Sequence, residues 1–550
     1  MKKLSRQAVA GIMLTVMVLA LAVTLYAPTG ATRSASALDN GLAQTPPMGW
    51  NSWNRFGCKI DEQLIRDTAD ALVNTGLRDA GYQYVIVDEC WQTGRGGDGL
   101  IHASTRTFPS GMAALAAYVH ERGLKFGIYT DAGSYTCQGR PGSLGYEFQD
   151  AATYAAWGVD YVKIDWCFTD GLDAARQYQV WRDAIAATGR PMLISISEWG
   201  ENAPWDWAVH SGNMWRTSTD LTPDWAAILR NLDQTAWTNA GAGPGGWSDP
   251  DMLQVGNGSL TLDEQKAHFS MWALLAAPLI AGNDIRSMSP ETGAILANHE
   301  IIAVDQDAAG IPGMIVDDTG TGLQVWMKPL ADGSRAVALL NRADVAAPIM
   351  ALWAKLGLAP DVPVVVRDLW AHADLGTFQG SLQFEVPAHG VMMLRLSPLT
   401  PQAPPPDSVP AIPDAPAGEQ VRWLGDMTWS EVQVSYGPPE VNASNGEDAA
   451  GDGSAMLLNG QRYERGIGTQ APSQIVYDLG ASCSTFQADL GVDDEVGDNG
   501  SVTFEVWGDG ILLYASGVLI GAQSPLPVSV DIRGVWQLRL VVSDGGDGVA

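Results

Sequence analysis

The chain has 550 residues, 46% of them hydrophobic and only 17% charged, so it can build several packed cores and is not a disordered polyanion. Its 32 Lys and Arg against 62 Asp and Glu leave a formal net charge of −30. That balance argues against nucleic acid and against anionic membrane surfaces, both of which reward basic faces, and leaves neutral ligands such as sugars unaffected.

At the N-terminus, Lys2, Lys3 and Arg6 precede an apolar run from Ala8 to Ala27, and Ala35-Ser36-Ala37 matches a small-residue cleavage site. This pattern predicts a secretory signal over 1–37 and a secreted or cell-surface product, with an uncleaved anchor as the alternative. No later segment has the apolar length to span a membrane. Export permits disulfides, and five cysteines suggest two pairs and one left over. No C-x-x-C spacing occurs, which argues against a zinc or redox motif.

Over residues 38–305, short apolar strands alternate with helical patterns about every 35 residues, the signature of parallel βα units. Candidate strands lie near Met48, Val85, Phe126, Val162, Leu193, Trp215, Trp247 and Leu279. Eight units predict an α/β fold of the (β/α)₈ barrel type. A doubly wound sheet is the alternative, but no G-x-G-x-x-G follows the first strand. Over 306–397 the pattern changes to short strands joined by Gly, Asp and Pro turns, predicting an antiparallel β-domain. Pro398 to Pro416 holds eight prolines, so 398–419 reads as a semi-rigid linker. A β-rich module follows over 420–550.

Barrel active sites gather at the C-terminal ends of the strands. Those ends carry Asp88-Glu89, Asp131, Asp165, Glu198, Asp220 and Asp249-Pro250-Asp251. One strand-end acid is commonly a cap; acids on six of eight strands point to chemistry. Such a ring either holds a metal or cleaves glycosides, the latter needing one ionised and one protonated carboxyl. None of the seven His falls at a predicted strand end, so neither a metal nor another cofactor is expected, although magnesium held by carboxylates alone stays open. Interleaved aromatics (Trp53, Trp91, Tyr129, Trp166, Trp199 and Trp215) suit a sugar pocket.

Met48-Gly49-Trp50-Asn51-Ser52-Trp53, Val87-Asp88-Glu89-Cys90-Trp91, Tyr161-Val162-Lys163-Ile164-Asp165, Ser197-Glu198-Trp199-Gly200, Trp215-Arg216-Thr217-Ser218-Thr219-Asp220 and Gly246-Trp247-Ser248-Asp249-Pro250-Asp251-Met252 together resemble glycoside hydrolase family 27, the α-galactosidases and their close relatives. The resemblance spans about 42 to 396. It implies a retaining hydrolase of terminal α-D-galactosyl residues, acting on oligosaccharides or polysaccharide side chains that end in galactose or arabinopyranose. Asp165 is the implied nucleophile and Asp220 the acid/base, about 5–5.5 Å apart. Lys163, two residues from Asp165 on one strand face, would keep it ionised. Asp220 is expected to have a raised pKa, with Arg216 turned to the sugar and away from it. Trp53, Asp88, Glu89, Tyr129, Lys163, Glu198, Arg216, Asp251 and Met252 are the implied substrate contacts. The resemblance also pairs Cys58 with Cys90 and Cys137 with Cys167, leaving Cys483.

One residue departs from the pattern. The α-galactosidases carry Asp-Asp where this chain has Asp88-Glu89. The extra methylene takes space that the hydroxymethyl of galactose needs, and in this family the replacement is associated with β-L-arabinopyranosidases. The alternatives are therefore β-L-arabinopyranosidase activity, a Glu89 rotamer that changes little, a non-catalytic sugar-binding barrel, or a metal-dependent barrel enzyme. The C-terminal module resembles the novel putative carbohydrate-binding module, which implies a β-sandwich, through Trp423-Leu424-Gly425-Asp426, Gly466-Ile467-Gly468 and Val492-Asp493-Asp494-Glu495, with Gln470 where His is usual. Its usual closing motif is absent, which leaves open that a last strand is missing.

Overall fold

The computed structural model describes residue 38, residues 40–399 and most of 422–544. The expected signal over 1–37 and nearly all of the expected linker lie outside the described residues. Among the described residues no helix is long and apolar enough to cross a membrane. The chain forms two compact units, 1–402 and 403–550.

All eight expected barrel strands are present: β1 (Met48–Asn51), β2 (Tyr84–Val87), β3 (Lys125–Asp131), β4 (Tyr161–Asp165), β5 (Leu193–Ser197), β6 (Met214–Arg216), β7 (Trp247–Asp249) and β8 (Leu279–Ala281). They form one parallel sheet in the order β8-β1-β2-β3-β4-β5-β6-β7. The ring closes just beyond β7, where the Leu253 N–H donates to the Ile280 carbonyl at 2.8 Å. The strands are short and apolar because both faces are covered: side chains fill the barrel on one, helices pack on the other. Outside the sheet, Trp50, Trp91, Trp181, Trp215 and Trp272 are fully buried in the main core. Inside it, Tyr84, Ile86, Tyr161, Leu193, Met214, Met252 and Ile280 form a second apolar cluster, on which Trp53 packs.

Helix starts follow the local chemistry. Asp61 caps α1 (Glu62–Asn74), accepting from the Leu64 N–H, and Asp173 caps the later helix Ala174–Ala187, accepting from the Arg176 N–H. Thr261 and Glu264 form a reciprocal capping box on Leu262–Leu274. Each cap satisfies N–H groups that a helix start leaves without partners.

The second part of this unit is a six-stranded antiparallel sheet, whose central strands are Leu323–Pro329, Arg335–Asn341 and Val391–Pro398, with the pair Ala347–Leu352 and Ser381–Val386 packed on it. Polar contacts join it to the barrel helices: Trp370 Nε1 to Ser270 Oγ at 3.0 Å, Asn298 Nδ2 to the Leu369 carbonyl at 3.0 Å, and Arg342 to Asp233 at 2.6 Å.

The C-terminal unit pairs Thr485–Leu490 with Leu526–Asp531, and its five-stranded antiparallel sheet has Gln537–Asp544 at the centre. Phe486, Val528 and Val530 from the pair meet Ile475, Tyr477, Val506 and Leu538 from the sheet in one core. Cys483 is half-buried against this core.

Candidate active site

Two cations organise the carboxylates at the C-terminal end of the barrel. Lys163 and Asp165 alternate with Ile164 on β4, so both project inward while Ile164 faces the helices. The Lys163 ammonium lies 3.0 Å from Asp88 Oδ2 and 3.7 Å from Asp165 Oδ1. Asp88 is held in turn by Asn51 Nδ2 at 2.7 Å and by the Glu89 N–H at 2.9 Å. Burial raises the Asp165 pKa, and the Lys163 charge is the main opposing influence. Asp165 Oδ1 is buried and has no hydrogen-bond donor within reach among the described residues.

Arg216, at the end of β6, is 3% exposed and carries the second cluster. Its Nη1 lies 3.1 Å from Asp251 Oδ1 and its Nη2 3.2 Å from Asp220 Oδ1. Asp251 Oδ2 also accepts from the Leu221 N–H at 2.7 Å, so both oxygens of this acid are engaged. The Asp220 side chain is 69% exposed, at the mouth. Partial desolvation raises its pKa, but the Arg216 charge, then that of Lys163, outweighs it and holds the group below its ordinary value. This corrects two expectations from the sequence. Arg216 touches Asp220, and the Asp220 pKa is depressed rather than raised.

The surrounding acids are unevenly anchored. Glu89 Oε1 accepts from the Gln138 N–H at 2.6 Å, and burial raises its pKa against that bond and one from Thr136. Glu198 is fully buried and accepts from the Gly200 N–H at 3.1 Å and the Asn202 N–H at 2.6 Å; burial pushes it to about 7. Asp249, pushed by burial to about 6, accepts from the Asp251 N–H at 2.9 Å and so shapes the turn. Asp131 was visible at a strand end, but nothing in its spacing marked a role. It is fully buried, accepts from the Gly133 and Cys167 N–H groups at 2.8 and 3.1 Å, and is pushed to about 8 by burial and by Asp165.

Eight carboxyl groups therefore surround two cations. Full ionisation would leave uncompensated negative charge in a desolvated space, which is why burial pushes so many of these groups upward.

The aromatic expectation divides. Trp53 and Met252 pack together inside the barrel. Tyr129 is fully buried, its ring centroid 5.3 Å from Lys163 Nζ, beneath the carboxylates. Trp91 and Trp215 are instead core residues outside the sheet; Trp91 packs edge-on against Trp157, with centroids 5.7 Å apart. Their spacing beside strand ends reflects helix–sheet packing, because indoles fill that layer as readily as they face a sugar.

Two disulfides, Cys58–Cys90 and Cys137–Cys167, tie neighbouring loops on this face. Cys137 Sγ lies 3.7 Å from Asp165 Oδ2. Non-glycine residues with positive φ follow four strands here: Cys90 (81°), Phe168 (50°), Trp199 (61°) and Asp251 (91°). Such backbone costs of order 1–3 kcal/mol and concentrates at functional sites.

Comparison with known proteins places this arrangement. A family model described as alpha galactosidase A matches residues 45–307, one described as alpha galactosidase C-terminal beta sandwich domain matches 320–396, and one described as NPCBM/NEW2 domain matches 420–550. Alpha-galactosidase A of Cellvibrio japonicus is 49% identical over 65% of this chain and 93% of its own length. The crystal structure of alpha-galactosidase I from Mortierella vinacea is 38% identical, covering 65% of this chain and 98% of its own, with a TM-score of 0.64. A β-L-arabinopyranosidase from Geobacillus stearothermophilus, solved with arabinose, is 26% identical over 66% of this chain and all of its own, with a TM-score of 0.61. The chain belongs to glycoside hydrolase family 27, the α-galactosidase family.

Proposed function

We propose that the chain is an exported, exo-acting, retaining glycosidase that removes terminal α-D-galactosyl residues. The observation that carries this reading is the buried Asp165 with one uncommitted oxygen beside Lys163. The ammonium opposes protonation of the carboxylate and leaves a lone pair free to attack. Asp165 attacks the anomeric carbon while the bond to the leaving oxygen breaks. Asp220 gives that oxygen its proton, then takes one from the water that cleaves the glycosyl ester. The released sugar keeps its configuration after two inversions. Asp88, Glu89, Glu198 and Asp251 would accept hydrogen bonds from sugar hydroxyls, Trp53 and Met252 would cover an apolar face, and Arg216 would donate to hydroxyls of the bound sugar. Tyr129 would act from below, bounding Lys163. Export through the N-terminal segment and the sugar-binding role of the C-terminal module belong to the same reading.

The Arg216–Asp220 contact adds a requirement. Paired with Arg216, Asp220 is held ionised, which is the wrong state for a proton donor. A bound sugar covers Asp220 and draws Arg216 to its hydroxyls, and both changes favour the protonated acid.

A second reading, β-L-arabinopyranosidase, is favoured by Glu89. Its bond to the Gln138 N–H holds the longer side chain against the 136–138 loop beside Asp165. A methylene in a closed pocket is worth about 1–3 kcal/mol of discrimination, so the two activities differ in degree.

Asp165→Ala is expected to lower kcat by at least about 10³-fold. Azide should restore turnover, giving the β-configured glycosyl azide; a folded variant that azide does not rescue contradicts the assignment. Galactose binding to the wild-type protein near about pH 5 should take up protons, because a depressed pKa rises on binding. Calorimetry in buffers of different ionisation enthalpy reads this, and proton release would contradict it. Glu89→Asp should shift the ratio of kcat/KM for nitrophenyl α-D-galactopyranoside over nitrophenyl β-L-arabinopyranoside toward the galactoside by about tenfold; an unchanged ratio means that Glu89 does not exclude the hydroxymethyl group.

A further inference from the structure

Outside the carboxylate ring, the same face carries two large aromatic side chains that the chemistry above leaves unused. Tyr135 and Phe168 are 53% and 57% exposed, and their rings meet edge to face with centroids 5.8 Å apart. Tyr135 stands two residues before Cys137, and Phe168 directly follows Cys167. The disulfide joining those cysteines borders the Asp165 carboxylate, through Cys137 Sγ at 3.7 Å. The pair therefore stands on loops continuous with the wall of the catalytic pocket.

The backbone around the pair is tightly built. The Ala132 N–H donates to the Asp165 carbonyl at 2.9 Å, and the Gly142 N–H to the Ser134 carbonyl at 3.0 Å. A Cβ on Gly133 would lie 1.9 Å from the Cys167 carbonyl oxygen and 2.6 Å from that of Phe168, so only glycine lets the two loops approach this closely. Phe168 itself has φ of 50°, a left-handed conformation that is unfavourable for a bulky side chain. Folding therefore holds an apolar ring in a strained conformation and leaves more than half of it in water. Burial does not explain that arrangement, because an exposed ring gains little hydrophobic stabilisation.

We propose that Tyr135 and Phe168 form an aglycone subsite, a corner that stacks the pyranose ring attached to the departing oxygen. This rests on the glycosidase reading above. One face of a pyranose presents axial C–H groups and is apolar, so it suits an aromatic face, while the second ring closes the edge of the corner. Such a subsite reads ring shape rather than hydroxyl pattern. It favours substrates whose galactosyl unit is linked to another sugar over those carrying a small alkyl aglycone.

The test uses the full chain with Asp165→Asn, so that substrates bind without turnover. Binding of methyl α-D-galactopyranoside and of an α-1,6-linked galactosyl-glucose is measured by calorimetry, with and without Phe168→Ala. The disaccharide should bind about tenfold more tightly, and Phe168→Ala should remove most of that advantage. Phe168→Gly, which relieves the backbone while deleting the ring, should do the same, and it covers the case in which Phe168→Ala does not fold. A disaccharide advantage unchanged in both variants, or absent before substitution, overturns the inference while leaving the pocket reading intact. Binding of neither sugar, nor of methyl β-L-arabinopyranoside, removes the sugar pocket and this inference with it.

Discussion

The buried contact between Lys163 and the two carboxylates of Asp88 and Asp165 is the constraint on which the rest of the site depends. A carboxylate taken out of water tends to neutralise itself by binding a proton. In the proposed reading a protonated Asp165 is a poor nucleophile. One ammonium, 3.0 Å from Asp88 and 3.7 Å from Asp165, opposes that tendency at Asp165. The cost of burying the lysine is itself offset by the two anions, and its pKa is raised as a result. Strand alternation makes this arrangement inexpensive in sequence. Positions 163 and 165 share a face of β4, and 88 follows the end of β2, with only β3 between the two strands.

Arg216 does the corresponding work on the other side of the pocket, with a different outcome. It is shared between a buried acid, Asp251, and an exposed one, Asp220. Asp251 is locked by a further backbone bond, whereas Asp220 has solvent on one side and a cation on the other. Pairing with Arg216 thus favours the ionised form of the mouth acid. In the proposed reading, sugar binding is coupled to proton placement: the group that must donate becomes a donor when the pocket fills. Glu198 and Asp249, pushed to about 7 and 6, and Asp131, pushed to about 8, share the same desolvated space.

Much of this is legible in the sequence. Tyr84-Val85-Ile86-Val87 and Leu193-Ile194-Ser195-Ile196 read as buried parallel strands because both their faces are covered. The acids after them stand at strand ends by simple counting, the barrel and the antiparallel domain follow from the change of period along the chain, and the C-terminal β-sandwich is what the family resemblance implies. What could not be read is what depends on distances across the ring. Arg216 and Asp220 are four residues apart, yet only the folded loop shows the guanidinium set against both Asp220 and the Ser218 carbonyl, the latter at 2.9 Å. Asp131 is one acid among many in sequence; only folding brings the Cys167 N–H and Asp165 against it. Trp91 and Trp215 misled for a physical reason, since the layer between sheet and helices takes indoles as readily as a sugar pocket does.

The central claim is that Asp165, its protonation opposed by Lys163, is the nucleophile. Its most direct measurement is covalent trapping. The protein is incubated with a 5-fluoro-α-D-galactopyranosyl fluoride, whose ring fluorine slows hydrolysis of a glycosyl ester, then digested and sequenced by mass spectrometry. The account predicts one added sugar on the peptide containing Lys163-Ile164-Asp165, localised to Asp165. An ester on another carboxylate, or turnover with no covalent adduct at any time, would contradict it.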